Sequence, residues 1–326
     1  SNTTGSSNVS IGKDALFSNT TASDNIAVGY KSLFDNTTGT ANTSIGRSAL
    51  ANNTTANNNT AVGYVALGDN TTGTENTAIG RSALENNTTA SYNTAIGMQS
   101  LYANTTGALN TAVGYQALED TTTASNNTAV GTQALNKNTT GASNSAFGEA
   151  TLFTNTTGGF NTAYGRNALF SNTTASQNTA VGYQAAYNNT TGTQNAALGY
   201  AAFPSNTTGS NNTAIGRSAL QSNTTGGNNT ALGHSTLFSN TTANNNTAVG
   251  YQALYYNTTG TQNAALGTDA LFQITTASNN TAVGYQAAYS ATTGGSNTAM
   301  GHSSLRSLTT GSGNTALGRN SLYSST

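Results

Sequence analysis

Hydrophobic and polar positions follow one short pattern along this chain, and the pattern recurs every 17 residues. We number the repeat from the Asn that lies four residues before a Gly, as in the segment 110–114, Asn-Thr-Ala-Val-Gly. Position 3 is almost always Ala, position 4 is always apolar, and Ala and Leu are typical of positions 8 and 9. Position 12 is usually Asn, and Thr-Thr follows it. The Gly at position 5 recurs from Gly12 to Gly318 without insertion or deletion, which gives nineteen copies.

This pattern predicts an all-β protein. Asn, Thr and Gly are poor helix formers, so a helical solenoid is excluded. Short β-prone pieces between Gly, Asn, Ser and Thr clusters indicate strands and turns. A strict period of 17 predicts a parallel β-solenoid, or β-roll, of nineteen coils, about 90 Å long at a strand spacing of about 4.8 Å. An invariant Gly at position 5 predicts positive φ or no room for a Cβ atom, and Gly or Ala at position 15 predicts a site for small side chains only.

Alternation along a strand predicts which apolar residues lie inside. Side chains at positions 3 and 4 should face opposite ways, and so should those at positions 8 and 9. One set fills a thin interior, and the other leaves an apolar stripe along the whole array. Such patches are rare on soluble monomers. We therefore expect identical chains to cover the stripe, and a parallel homotrimer is the obvious closed arrangement.

The composition argues against most kinds of binding site and catalytic site. Charged residues make up 6% of the chain, Cys is absent, and the formal net charge is −1. These values predict no nucleic-acid partner, and no apolar run is long enough to insert into a membrane. The two His residues, His234 and His302, fall at the variable position 6, and the carboxylates are scattered. We expect no enzyme activity, no metal site and no cofactor.

Several short segments resemble a known family. Asn-Thr-Ala-Val-Gly at 110–114, Asn-Thr-Ala-Ile-Gly at 76–80 and Asn-Ser-Ala-Phe-Gly at 144–148 are similar to the head repeats of YadA-like trimeric autotransporter adhesins, and also to repeats of phage tail-fibre proteins. The resemblance implies a left-handed β-roll, three chains wound together, and a role in reaching or gripping a surface. The repeat here is longer than the family unit, and position 2 is usually Thr where the family often has Val.

These observations favour a structural extracellular fibre or adhesin shaft on a cell or virion surface. We expect residues 1–326 to form a single repeat array, a piece of a longer fibre without separate domains. The alternative is a tail fibre that binds carbohydrate or a receptor, and a more remote alternative is ice binding. Ice binding would need outward Thr at i and i+2 of a strand, whereas the Thr pairs here are adjacent. Expected partners are identical chains, in a homo-oligomer or an end-to-end filament, and, for the alternative, cell-surface glycans.

Two sets of residues are candidate sites. Aromatic residues suit recognition surfaces, and position 6 carries seven tyrosines: Tyr30, Tyr64, Tyr115, Tyr183, Tyr200, Tyr251 and Tyr285. The competing interpretation is that aromatic residues at positions 6 and 10 cover the edge of the roll. Asn-Thr-Thr is formally an acceptor for N-linked glycans, which gives Asn19, Asn36, Asn53, Asn70, Asn87, Asn104, Asn138, Asn155, Asn172, Asn189, Asn206, Asn223, Asn240 and Asn257. We expect these Asn mainly to form a hydrogen-bonded ladder, with partial glycosylation on Asn or on the neighbouring Thr.

Overall fold

The computed structural model describes residues 2–324 and consists of two compact units, Ser1–Asn161 and Thr162–Thr326. Each unit is a stack of 17-residue coils, and each coil contributes one strand of three residues, at positions 2 to 4. The rest of each coil consists of turns and bends, and no helix occurs between residues 2 and 324. The repeat of the sequence therefore corresponds to one physical coil.

The strands are short and evenly spaced along the chain. In the first unit they are β1 Val9–Ile11, β2 Ile26–Val28, β3 Thr43–Ile45, β4 Thr60–Val62, β5 Thr77–Ile79, β6 Thr94–Ile96, β7 Thr111–Val113, β8 Thr128–Val130 and β9 Ser145–Phe147. In the second unit they are β10 Thr162–Tyr164, β11 Thr179–Val181, β12 Ala196–Leu198, β13 Thr213–Ile215, β14 Thr230–Leu232, β15 Thr247–Val249, β16 Ala264–Leu266, β17 Thr281–Val283, β18 Thr298–Met300 and β19 Thr315–Leu317.

Within each unit, every strand pairs in parallel with the strand of the next coil, and the register never shifts. In the pairing of β7 with β8, for example, Ala112 lies opposite Ala129, and Val113 lies opposite Val130. Paired residues are always 17 positions apart, so each position of the repeat forms a column of like side chains. The predicted all-β parallel β-solenoid is therefore confirmed. The left-handed sense and the homotrimer stay predictions.

The strand separates the inside of the coil from the outside. In β7, Ala112 at position 3 is fully buried, whereas Thr111 and Val113 on either side of it are half-buried. This is the alternation expected of an extended chain whose one face packs inward. Position 3 is small because the interior of so narrow a coil has little room between opposite walls.

The turn after each strand explains why both apolar residues at positions 8 and 9 lie inside. Gln116 and Leu118, at positions 7 and 9, each have a φ of 54°. Two left-handed residues in close succession bend the backbone, and Ala117 and Leu118 are both 0% exposed. The prediction that positions 8 and 9 face opposite ways is wrong, because strict alternation holds only where the chain is extended. One coil thus buries more of its apolar surface than the sequence pattern suggested.

Gly at position 5 is required for two independent reasons. Gly114 has a φ of 135°, a conformation that residues with a side chain rarely adopt. A Cβ atom built on Gly114 would also lie 2.5 Å from the carbonyl oxygen of Gly131 in the next coil. Both halves of the prediction for this position are confirmed.

In most repeats, two Asn side chains close the coil and join it to its neighbour. Asn59 and Asn70, at positions 1 and 12, both donate from Nδ2 to the carbonyl oxygen of Gly73, each at 2.9 Å. The Asn70 amide also donates to Oδ1 of Asn53 in the preceding coil, at 3.0 Å. The backbone N–H of Asn76 donates to Oδ1 of Asn59 at 2.9 Å. The interior is therefore half apolar and half a hydrogen-bonded amide network, which satisfies the buried polar groups.

Candidate functional surface

The outward positions of the coils form parallel columns of side chains on each unit. In the coil that contains β7, Thr111 and Val113 face outward from the strand, Tyr115 at position 6 is exposed on the turn, and Thr123 at position 14 is exposed on the following bend. Because the coils stack in register, whatever one position presents is repeated at intervals of about 4.8 Å. The surface is therefore best described column by column, by the side chains that each outward position repeats.

The apolar and aromatic side chains of position 4 form what we call the position-4 stripe, one in each unit. These large apolar side chains lie on the outer face of the sheet, and eleven of them keep between 36% and 67% of their surface exposed. Patches of this extent on a soluble protein mark an interaction surface. The eleven are Ile11, Ile45, Ile79, Ile96, Tyr164, Val181, Leu198, Leu232, Leu266, Met300 and Leu317.

The seven tyrosines of position 6 all lie on the surface. Their exposed fractions run from 37% to 56%, so each side chain is accessible to solvent. The structure brings them together only where the sequence puts tyrosines in consecutive coils, and otherwise intersperses them with Arg, His and other side chains. The column contains Tyr30, Tyr64, Tyr115, Tyr183, Tyr200, Tyr251 and Tyr285.

Neighbouring side chains in the position-6 column cover one another's faces. The rings of Tyr183 and Tyr200 stack with centroids 5.3 Å apart. The guanidinium of Arg47 lies between Tyr30 and Tyr64, at 5.7 Å and 5.8 Å from the two ring centroids. Such contacts are favourable stacking and cation–π interactions. These contacts occupy ring faces, so a ligand that needs a free ring face would find few in these coils.

Aromatic residues at position 10 form a second, half-buried column. In the second unit, Phe238, Tyr255, Phe272 and Tyr289 stack in consecutive coils with centroid distances of 4.9, 5.4 and 5.1 Å. The guanidinium of Arg306 extends this column at 5.3 Å from the Tyr289 ring. Each of these side chains directly follows the buried residue at position 9 of its coil. The interpretation that aromatic residues cover the edge of the roll stays a prediction.

The asparagines of the Asn-Thr-Thr segment lie inside the coil. Every one of the fourteen candidates for glycosylation is 0% exposed, and its Nδ2 donates to the carbonyl at position 15. An N-linked glycan replaces one hydrogen of that nitrogen and needs space that the interior lacks, so glycosylation at these residues is incompatible with the folded coil. The correction applies to Asn19, Asn36, Asn53, Asn70, Asn87, Asn104, Asn138, Asn155, Asn172, Asn189, Asn206, Asn223, Asn240 and Asn257.

The ladder predicted for these asparagines is confirmed. Amide-to-amide hydrogen bonds link Asn36 to Asn53 at 2.9 Å and Asn53 to Asn70 at 3.0 Å. The asparagines of position 1 behave differently, since their Oδ1 atoms accept chiefly from the backbone N–H of the next coil, as between Asn93 and Asn110 at 3.0 Å. Position 12 therefore forms the ladder between amide side chains. Position 1 joins its side chain to the backbone of the next coil.

The two His residues are part of the position-6 column. His234 stacks on Tyr251 with centroids 5.5 Å apart, and His302 lies against Tyr285 at 5.0 Å. Among residues 2–324, no group of three or more His, Cys, Asp or Glu side chains is placed to hold a metal ion, and no cavity is found. Over the same residues, no helix has the length and apolar character needed to cross a bilayer.

Sequence reasoning missed the carbonyl at position 15 as the point where two side chains converge. A general signal was present, since Asn side chains in turns often bond to nearby backbone groups of their own segment. It also missed the hydrogen bond by which the position-13 hydroxyl donates to a carbonyl oxygen of the next coil, as between Thr105 and Thr122. No family model matches the sequence, and no curated protein matches it.

Proposed function

We propose that this chain is a structural extracellular fibre, an adhesin or tail-fibre shaft in which identical chains associate along the position-4 stripe. The observation that supports this most directly is the stripe itself. A coil that buries Ala and Leu so completely nevertheless leaves Ile79 and Ile96 39% and 37% exposed in consecutive coils. At about 25 cal/mol per Å² of apolar area removed from water, a stripe repeated along a unit is a large favourable term for association.

Self-association fits the stripe better than a small ligand does. A stripe that repeats in register is matched in length only by another repetitive surface, and a second copy of this chain supplies one. Closed symmetry with three copies places every stripe toward a common axis and leaves none exposed. The turn columns at positions 6 and 10 lie outside the strand and take no part in this contact.

Light scattering of the full chain at micromolar concentration tests this proposal. We expect a mass three times the 32.8 kDa of one chain. Replacing Ile79, Ile96 and Val113 with Lys puts three charges in the stripe and should lower that mass while circular dichroism keeps its β signature. The matched control also adds three charges, with Lys at position 6 of three consecutive coils, at Met98, Tyr115 and Thr132, and should leave the mass unchanged. A folded, soluble monomer, or equal loss of mass in both variants, overturns the proposal.

A second candidate function is recognition of carbohydrate by the position-6 column. The mixture of Tyr hydroxyl and guanidinium groups, as at Tyr30, Arg47 and Tyr64, offers hydrogen-bond donors along a line. A glycan array probed with the full chain tests it, and the variant Tyr183→Ser with Tyr200→Ser should lose any binding that the stacked pair supports. Absence of binding to every glycan, or binding unchanged in the variant, counts against this function.

A further inference from the structure

The two adjacent threonines of each coil have different environments. Thr105 at position 13 is half-buried, and its hydroxyl donates to the carbonyl oxygen of Thr122 in the next coil at 3.1 Å. Thr106 at position 14 is exposed, and in the residues that the structure describes no side-chain hydrogen bond involves a position-14 hydroxyl. Position 13 thus uses its hydroxyl to hold coils together, while position 14 presents its hydroxyl to solvent.

Position 14 is nevertheless invariant. It is Thr in all nineteen copies, from Thr4 to Thr310, and it is exposed in every one of them. Other exposed positions vary freely, since position 6 holds Tyr, Arg, Lys, His, Glu, Met or Thr. The backbone N–H of Thr106 does bond to the Thr122 carbonyl at 3.3 Å, but every residue except Pro could make that bond. Folding therefore explains Thr at position 13 and leaves the hydroxyl at position 14 without a structural task.

We propose that the position-14 hydroxyls are attachment sites for short O-linked sugars. In the reaction, Oγ1 attacks the anomeric carbon of a sugar activated as a nucleoside diphosphate, and the bond from that carbon to the diphosphate oxygen breaks. The nucleoside diphosphate leaves, and the hydroxyl proton passes to a base of the transferase. Because successive hydroxyls are about 4.8 Å apart, only unbranched sugars fit side by side on consecutive coils.

The surface composition gives these sugars a role. Only 6% of the residues are charged, so the chain has few groups that keep an extended surface hydrated and prevent unspecific association. Neutral sugars on a polar column supply hydration without charge repulsion between neighbouring coils. Position 14 lies outside the strand, so sugars there leave the position-4 stripe open. The proposal is independent of how many chains associate.

Site-resolved mass spectrometry of the chain isolated from its natural source tests the proposal. Electron-transfer fragmentation keeps the sugar on its residue and so separates adjacent threonines. We expect sugar masses on position 14, including Thr106, Thr123 and Thr140, and none on position 13, at Thr105, Thr122 and Thr139. A polypeptide without added mass, or equal occupancy of the two positions, overturns the proposal.

A matched pair of variants made in the same source organism separates attachment from folding. Replacing Thr106, Thr123 and Thr140 with Val should remove three sugar masses. Replacing Thr105, Thr122 and Thr139 with Val should keep all sugar masses and lower the thermal midpoint, because three hydrogen bonds between coils are lost. If the first set keeps every sugar mass, the hydroxyls at position 14 are not the acceptors. Neither result depends on the mass of the assembly, so a failed trimer and a failed attachment site are distinguishable.

Discussion

Single side chains decide where the amide ladder of position 12 is continuous. The Oδ1 atoms of Asn104 and Asn257 are buried without a hydrogen-bond partner. In each case the next coil lacks the Asn that would donate, because Thr121 or Ile274 occupies position 12. A buried acceptor left without a donor costs about 1–3 kcal/mol. The ladder thus has two identifiable weak points, one in each unit.

The variant Thr121→Asn should repair the first of them. The new Nδ2 would donate to Oδ1 of Asn104, and we expect the free energy of unfolding to rise by about 1–2 kcal/mol, measured by urea denaturation of the full chain. Ile274→Asn is the contrasting control, since it removes a fully buried Ile and is followed by Ala291, which offers its own Oδ1 no donor. That variant should gain nothing or lose stability. A neutral or destabilising Thr121→Asn would contradict this account of the ladder.

Position 15 shows a second rule at the residue scale. It is Gly or Ala, and no two consecutive coils both carry Ala; each of Ala22, Ala56, Ala90 and Ala124 has Gly in the coils before and after it. A Cβ built on Gly107 would meet the carbonyl oxygen of Ala124, which accepts a hydrogen bond from the side chain of Asn110. One coil can shift slightly to admit a methyl group, but consecutive coils would have to shift against each other.

This rule predicts opposite outcomes for one substitution at equivalent positions. Gly209→Ala has Gly on both sides and should change the free energy of unfolding by less than about 1 kcal/mol. Gly107→Ala creates three consecutive Ala and should destabilise the fold by about 1–3 kcal/mol. Thermal unfolding of the two full-length variants, compared with the parent, checks the difference. Equal midpoints would show that the spacing of Ala along the chain is accidental.

At the scale of the element, the turn could not be predicted from local preference. Leu at position 9 adopts a φ near 50° in coil after coil, as at Leu50 and Leu67 with 49° and 51°. An L-residue pays about 1–2 kcal/mol for this conformation, and only the burial of the Leu side chain offsets it. The period and the strand were predictable because they follow from side-chain pattern. The turn was not, since packing overrides propensity there.

The Asn-Thr-Thr segment was misjudged for a related reason. As a motif it is typical of an exposed, glycosylated loop, yet the structure buries Asn36 and Asn53 at 0% exposure. Repetition changes what the Asn-Thr-Thr motif predicts. An Asn side chain that recurs in every coil can form a hydrogen bond with the equivalent Asn of the adjacent coil. The ladder itself was predictable from that periodicity. The convergence of both Asn side chains on one carbonyl required knowledge of how the coil closes.

One turn residue carries avoidable strain. Val65 occupies position 7 with a φ of 54°, where a β-branched residue is an outlier. Asn tolerates this conformation and already occupies the equivalent position at Asn167, with a φ of 59°. We expect Val65→Asn to raise the free energy of unfolding by about 1 kcal/mol in urea denaturation. Val62→Asn, in the strand, should lower it, since Asn is disfavoured there. The strain argument fails if the two variants respond alike.

At the scale of the whole molecule, stability is a sum of contacts between adjacent coils. Each coil bonds only to its neighbours in the stack, as in other repeat proteins. Removing residues 77–93 joins Asn76 to Thr94 and keeps every column in register, so we expect a folded chain with a thermal midpoint within a few degrees of the parent. Removing Arg81 alone displaces that coil by one residue and exposes its buried faces. Circular dichroism and thermal unfolding should show a much larger loss for the smaller deletion.

The columns of identical side chains also have a genetic consequence. A coil interacts with its neighbours through largely the same groups wherever it lies in the stack. One coil can therefore take the place of another. Recombination between stretches of the gene that encode similar coils would add or remove whole coils, and each product would keep its ladders in phase. Length becomes a heritable trait that changes in steps of one coil without a new fold having to evolve. The invariant spacing of 17 residues is what survives such exchange, because any other step is eliminated with the misfolded chain.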